Sequence, residues 1–166
     1  MVRLLSLAIL LALAGCASRP IPRQVVFNEA DYAQYAEPGT ATIRGQAFLV
    51  QAGGNVVKAA GREIALRPKT GYSEEWYARH IINNETLEPG DTRILKYIRT
   101  VNADADGNFQ FENVPAGEYY VTCFLTWGAY TGGYGLSPQG GWMVKRITVL
   151  PGSNIRVQLS ELTSPH

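Results

Sequence analysis

From Thr40 onward, apolar and polar residues alternate in period two, and this pattern constrains the fold more than any other feature of the chain. Successive side chains of a strand point to opposite faces, so Ala41, Ile43, Gly45, Ala47 and Leu49 share one face of a first strand. Ile64 and Leu66 lie inward on a second, after the Gly53-Gly54-Asn55 turn. Residues 93–101 read as a third strand and residues 108–112 as a fourth. Tyr119, Val121, Cys123, Leu125 and Trp127 alternate along a fifth. Ile147 and Val149, then Ile155, Val157 and Leu159, read as a closing hairpin turned at Pro151-Gly152. Some seven short strands separated by turn residues predict an all-β domain, an antiparallel two-sheet sandwich, over residues 40–162. Two segments break the alternation. Residues 73–83 predict one short inserted helix, with Ser73 at its N-cap, Glu74 and Glu75 in the first turn, and Glu75 four residues before Arg79. Residues 127–142 form a Gly-rich, aromatic-rich stretch that reads as a loop.

The N-terminus is a different kind of segment. Arg3 precedes the apolar run from Leu4 to Leu13, which is shorter than the roughly 20 residues a bilayer-spanning helix needs. Leu13-Ala14-Gly15-Cys16 resembles the lipobox of bacterial lipoprotein precursors. That resemblance implies that residues 1–15 are a removable signal and that Cys16 carries a diacylglycerol on its sulfur and an acyl chain such as palmitate on its amine. Two or more acyl chains give stable membrane anchoring where one is marginal. Ala17, in place of Asp, implies outer-membrane sorting if the source is Gram-negative. Residues 16–39, with Pro20, Pro22 and Pro38, read as a lipidated tether. Within it, residues 28–36 are open to two readings, a short helix capped by Asn28 or plain linker.

The run from Asp104 to Tyr119, DADGNFQFENVPAGEY, resembles the signature of carboxypeptidase regulatory-like domains, which are transthyretin-like sandwiches. The pattern has a physical logic. Asp106-Gly107 makes a tight turn, Phe109 and Phe111 point inward two residues apart, and Val114-Pro115-Ala116-Gly117 carries the chain to the other sheet, where Tyr119 opens the next inward face. The resemblance implies a noncatalytic accessory or binding module that contacts protein or glycan in the cell envelope. The short helix and the Gly-rich stretch depart from a minimal domain of that family.

With 15 basic against 14 acidic residues the chain is near neutral, which argues against nucleic-acid partners, since these are bound through a basic surface. Catalysis has little support: there are two histidines, His80 and His166, and no HExxH, GxSxG, phosphate-loop or CxxC motif. A metal-dependent hydrolase, or a subunit of one, is the enzymatic alternative, with His80 near Glu75 and Glu85 the place to look, but no metal and no cofactor are expected. Asp104-x-Asp106-Gly107-Asn108 places oxygens at alternate positions as a calcium loop does, yet it lacks the glycine and acid that an EF-hand needs later in register, so it reads as a β-turn. Cys123 sits in the inward alternation and is expected to be buried and inert. The constellation that carries a binding reading is Trp127, Tyr130, Tyr134 and Trp142, set among six glycines between residues 128 and 141. Such rings can stack on sugars or anchor a protein partner. The competing reading is that they close the end of the sandwich.

Overall fold

The computed structural model describes residues 19–163 apart from 131, 133 and 134. The signal segment, Cys16 and Tyr134 therefore lie outside the described residues. Eight strands form two sheets packed face to face. In the first, β1 (Ala41–Val50) pairs with β2 (Val56–Lys58), β5 (Asn108–Val114) and β8 (Asn154–Leu159). The second runs in the order β4 (Arg99–Asn102), β3 (Glu63–Pro68), β6 (Gly117–Tyr130), β7 (Leu136–Val149). All pairings are antiparallel except β1 with β8.

The alternation read from the sequence is the core. Ile43, Ala47, Leu49, Ile64, Leu66, Phe109, Phe111, Tyr119, Val121, Cys123 and Leu125 are all buried between the sheets. Gly45 keeps its place in that inward row because the Phe109 ring takes the space its side chain would fill, only 2.4 Å from where a Cβ would sit. Cys123 is 1% exposed, and burial pushes its thiol up to about 11, as the inward alternation implied. At the Asp106-Gly107 turn, Asp104 Oδ1 accepts the backbone N–H groups of Asp106 and Asn108, both at 2.8 Å, and Oδ2 accepts from the Asn108 amide at 3.0 Å. The Asn108 hydrogen bonds keep the Asp104 carboxyl below its ordinary range, and they occupy the oxygens that a cation would need.

Four expectations need correction. The predicted closing hairpin is instead a crossing: after Gly152, which has φ +68°, β8 leaves the sheet of β7 and lies parallel to β1. Thr40 fixes that corner by accepting the Gly152 N–H at 2.9 Å. The predicted third strand is only Arg99–Asn102, because Asp91 caps a 3-10 turn over Thr92–Lys96 and grips the Arg93 side chain. The helix α1 spans Gly71–Trp76 and starts at Thr70, not Ser73. Ser73 is the third residue of a capping box, its Oγ accepting the Thr70 N–H at 2.9 Å. A π turn, Tyr77–Ile82, continues it. Finally, residues 127–142 are mostly strand: β6 and β7 pair continuously from Gly117 with Val149 to Tyr130 with Leu136.

Between the two readings of residues 28–36, a 3-10 helix forms over Glu29–Tyr35, capped by Asn28. Tyr32 and Tyr35 on it are buried with Phe27 in the core. The segment before it is strapped down as well. Ile21 exchanges backbone hydrogen bonds with Thr86 and Glu88, and the buried Glu75 carboxylate accepts the N–H groups of Gln24 and Val25 at 2.6 and 3.3 Å.

Candidate functional site

The site lies on the outer face of the β4-β3-β6-β7 sheet. Residues two apart share a face, so Arg67 of β3, Tyr120, Thr122 and Phe124 of β6, and Trp142 and Arg146 of β7 all point away from the core. The insert α1 with its π turn covers part of this face. Tyr77 stacks on Tyr120 at 4.9 Å between centroids and 16° between planes, and Arg146 lies over both rings. Tyr120 and Thr122 are buried as a result.

Where the insert ends, an aromatic shelf begins. Trp142 is its hub: Phe124 lies across the strand pair at 5.1 Å, the Trp76 edge meets it at 5.8 Å, and His80 at 6.1 Å. Phe124 remains 46% exposed, which is unusual for a ring so well surrounded. Clefts open on both sides of these rings. One, of about 600 Å³, is lined by Phe124, Trp142, His80, Asn84, Leu162 and Thr163. The other, of about 210 Å³, is lined by the same two rings with Arg62, Glu63, Arg67 and Thr122. The chain after β8 returns along the edge of β7 to build the first cleft: Thr163 donates its N–H to the Trp142 carbonyl at 2.8 Å and accepts the Val144 N–H at 3.0 Å.

Polar groups ring the shelf. His80 Nδ1 lies 3.2 Å from the Glu85 carbonyl, which can only accept, so that hydrogen bond needs a proton on Nδ1 and leaves Nε2 for another partner. Arg79, on the same turn, pairs with Glu85 at 2.8 Å and also, at 4.0 Å, with its predicted partner Glu75, whose carboxylate holds the strap as well. Chemically, the arrangement offers flat apolar faces for stacking and a border of donors and acceptors, with no paired acid and base around it. Among the described residues no three His, Cys, Asp or Glu side chains converge as a metal site.

The four aromatic candidates from the sequence are separated. Trp142 belongs to the shelf. Trp127 has the opposite parity on β6 and packs against the core, with its ring 2.9 Å from where a Gly140 side chain would begin. Tyr130 is 73% exposed at the far end of the hairpin, six residues or about 20 Å along the strand from Phe124. Tyr134 falls outside the described residues. Phe124 and Trp76 were missed, although the alternation places Phe124 on the outward face, where an aromatic ring is itself a signal.

A larger open cleft of about 800 Å³, lined by Arg44, Gln46, Asn108, Gln110, Arg156 and Gln158 among others, lies mainly on the other sheet and reaches β4 at Val101 and Asn102. Its only aromatic lining residue is Phe109, a core side chain, so it lacks a stacking platform.

A two-sheet sandwich with an exposed aromatic shelf on one outer face is consistent with a binding module, and it is the shelf and not the fold that points there. The chain is 30% identical to a Pseudomonas aeruginosa protein whose crystal structure is described as that of a "putative carbohydrate binding protein", matching 81% of this chain and 97% of that one with a TM-score of 0.74, and it belongs to that protein's family. A minor pilin of Streptococcus agalactiae (12% identity, 78% of this chain, 46% of that one, TM-score 0.41) and the major pilin subunit of Bacillus cereus (18%, 76%, 31%, 0.44) are more distant structural matches. No family model and no curated protein matches the chain.

Proposed function

We propose that this chain is a noncatalytic, lipid-anchored module of the cell envelope that binds glycans on the Phe124–Trp142 shelf. The observation that carries the reading is an exposed ring, Phe124, braced by Trp142 and flanked by clefts of sugar-ring dimensions. Its Pseudomonas relative, described in the same terms of carbohydrate binding, supports it. Stacking of a pyranose on these rings supplies apolar contact, while His80 Nε2, the Asn84 amide and the Thr163 hydroxyl answer the sugar hydroxyls. The resemblance of residues 104–119 to carboxypeptidase regulatory-like domains fits the same accessory role. A lipid on Cys16 would hold the site close to the membrane, because only four residues, a reach of at most about 18 Å of chain, separate Cys16 from the pinned Ile21.

The test is retention of the intact chain on an array of envelope polysaccharides, with Phe124→Ala alongside. Half-exposed, Phe124 contributes about 1–2 kcal/mol to folding, so the variant keeps its fold while losing roughly 2 kcal/mol or more of binding. No retention on any glycan, or retention unchanged in Phe124→Ala, overturns the reading. Retention on an envelope protein alone would move the function to protein recognition.

A further inference from the structure

Trp76 also forms a wall of a second cavity, of about 230 Å³, between α1, the 3-10 turn Thr92–Lys96 and the N-terminal strap. Two guanidinium groups line it, and each has a buried donor with no acceptor: Nε of Arg67 and Nη1 of Arg23. The Arg67 guanidinium makes no hydrogen bond or ion pair with any described residue, and Glu63 acts on it only through its charge. Its charge lies over the Trp76 ring at 4.8 Å, and burial pulls its pKa below the usual arginine value without discharging it. Arg23 is held in place by the Glu88 carbonyl, which accepts from its Nε at 3.2 Å, and by the Tyr72 ring at 4.7 Å.

The carboxylate on the cavity wall does not answer them. Asp91 is gripped by Arg93, whose Nη2 and Nε donate to it at 2.7–3.2 Å, and Arg93 holds its carboxyl down at about 2. A buried donor without an acceptor is a costly feature for a fold to retain, and here the half-buried Arg67 and the more exposed Arg23 each bring one such nitrogen to the same cavity. The remaining wall is mixed, with Ser73 and Thr92 beside the apolar Trp76, Ile94, Leu95 and Ile98. Ile94 and Leu95 line the cavity together with Trp76, and Leu95 is exposed.

We propose that this cavity is a binding site for a small organic carboxylate, with the Arg67 and Arg23 guanidinium groups as its donors and Trp76, Ile94 and Leu95 enclosing its apolar body. Planar guanidinium forks match a carboxylate in two-point geometry, and the apolar part of the wall selects against a bare inorganic anion. This site adjoins the glycan shelf and shares Arg67 and Trp76 with it, whereas Arg23, Ile94 and Leu95 belong to the cavity and line neither shelf cleft.

Benzoate is the probe. Titrated into the intact chain and followed by the Arg67 Nε–H and Trp76 indole N–H resonances, it should shift both saturably at millimolar concentration. Benzyl alcohol, the same shape without charge, should shift neither, and sulfate should bind at least about fivefold more weakly. Arg67→Gln and Arg23→Gln should each weaken benzoate at least tenfold, the loss of a charge-assisted hydrogen bond. If Arg67→Gln loses its near-ultraviolet circular dichroism, Arg67→Lys replaces it, keeping the charge but losing the fork, and should also weaken binding. No shift with benzoate, equal shifts with benzyl alcohol, or undiminished binding in the folded arginine variants overturns the site. Sulfate binding as tightly as benzoate overturns the carboxylate assignment. Glycan retention, measured on the parent and on Arg23→Gln, whose residue lines neither shelf cleft, tests the shelf separately.

Discussion

Gly107 and Gly54 form a matched pair with φ of +80° and +84°. A side chain at either position must adopt the left-handed conformation, which costs an L-residue about 1 kcal/mol or slightly more. Their surroundings differ. A Cβ at Gly54 would meet nothing within 4 Å, whereas at Gly107 it would lie 2.4 Å from the Ala47 carbonyl oxygen and 3.3 Å from the Ala59 nitrogen. That carbonyl already accepts the Ala59 N–H at 2.9 Å, and the Ala47 N–H is donated to Gly107 itself at 2.9 Å. The obstacle is therefore backbone fixed on two sides, which cannot rotate away as a side chain would. Gly54→Ala should cost about 1 kcal/mol, and Gly107→Ala about 1–3 kcal/mol more. At about 2–4 °C per kcal/mol for a chain of this size, thermal melts should fall by about 3 °C for Gly54→Ala and about 6–12 °C for Gly107→Ala. Equal shifts would refute the close approach of the turn to β1. A Gly107→Ala protein that melts with the parent would remove the turn from the fold.

Three further outcomes are expected. Cys123, with its thiol pushed up to about 11 by burial, should resist a disulfide reagent at pH 8 in the native protein and react fully in denaturant; rapid native reaction would contradict its burial. Asp91 titrates lower in the fold than its ordinary 3.8, so its pairing with Arg93 stabilises the protein above about pH 4 and that contribution fades as pH falls towards 2. Asp91→Asn should flatten that part of the urea-midpoint profile at low salt, and an unchanged profile would count against the pairing. Cys16→Ser should abolish acylation and release the protein from membranes; unchanged membrane fractionation with no lost acyl mass would end the lipoprotein proposal.

The two sheets were legible because their inward rows repeat every second residue, and burial acts on that period directly. The path of β8 was not. Pro151-Gly152 serves a hairpin or a corner equally well, and the choice depends on the open edge of β1, more than a hundred residues away. The Gly-rich stretch misled for a related reason. Glycine usually marks a loop, yet Gly140 and Gly141 sit within β7, where Gly140 lets the Trp127 ring lie against its backbone. Within the candidate site, Trp142 was visible as a tryptophan among glycines. Phe124 and Trp76 were not, because the strand pairing and the helix that meet there are joined only in three dimensions.

The parallel seating of β8 against β1 also sets the order in which the protein can be built. β1 is among the first strands made and its partner is the last, so one of its edges stays open until nearly the whole chain has been synthesised. Contacts at such separation form slowly, and an open strand edge invites pairing with other chains. A chain shortened before Asn154 would keep that edge bare, so its fate should be aggregation rather than a smaller folded unit. If the proposed lipoprotein signal directs export of an extended chain, this late closure would be an advantage, since the sandwich cannot complete itself before its C-terminal strand arrives.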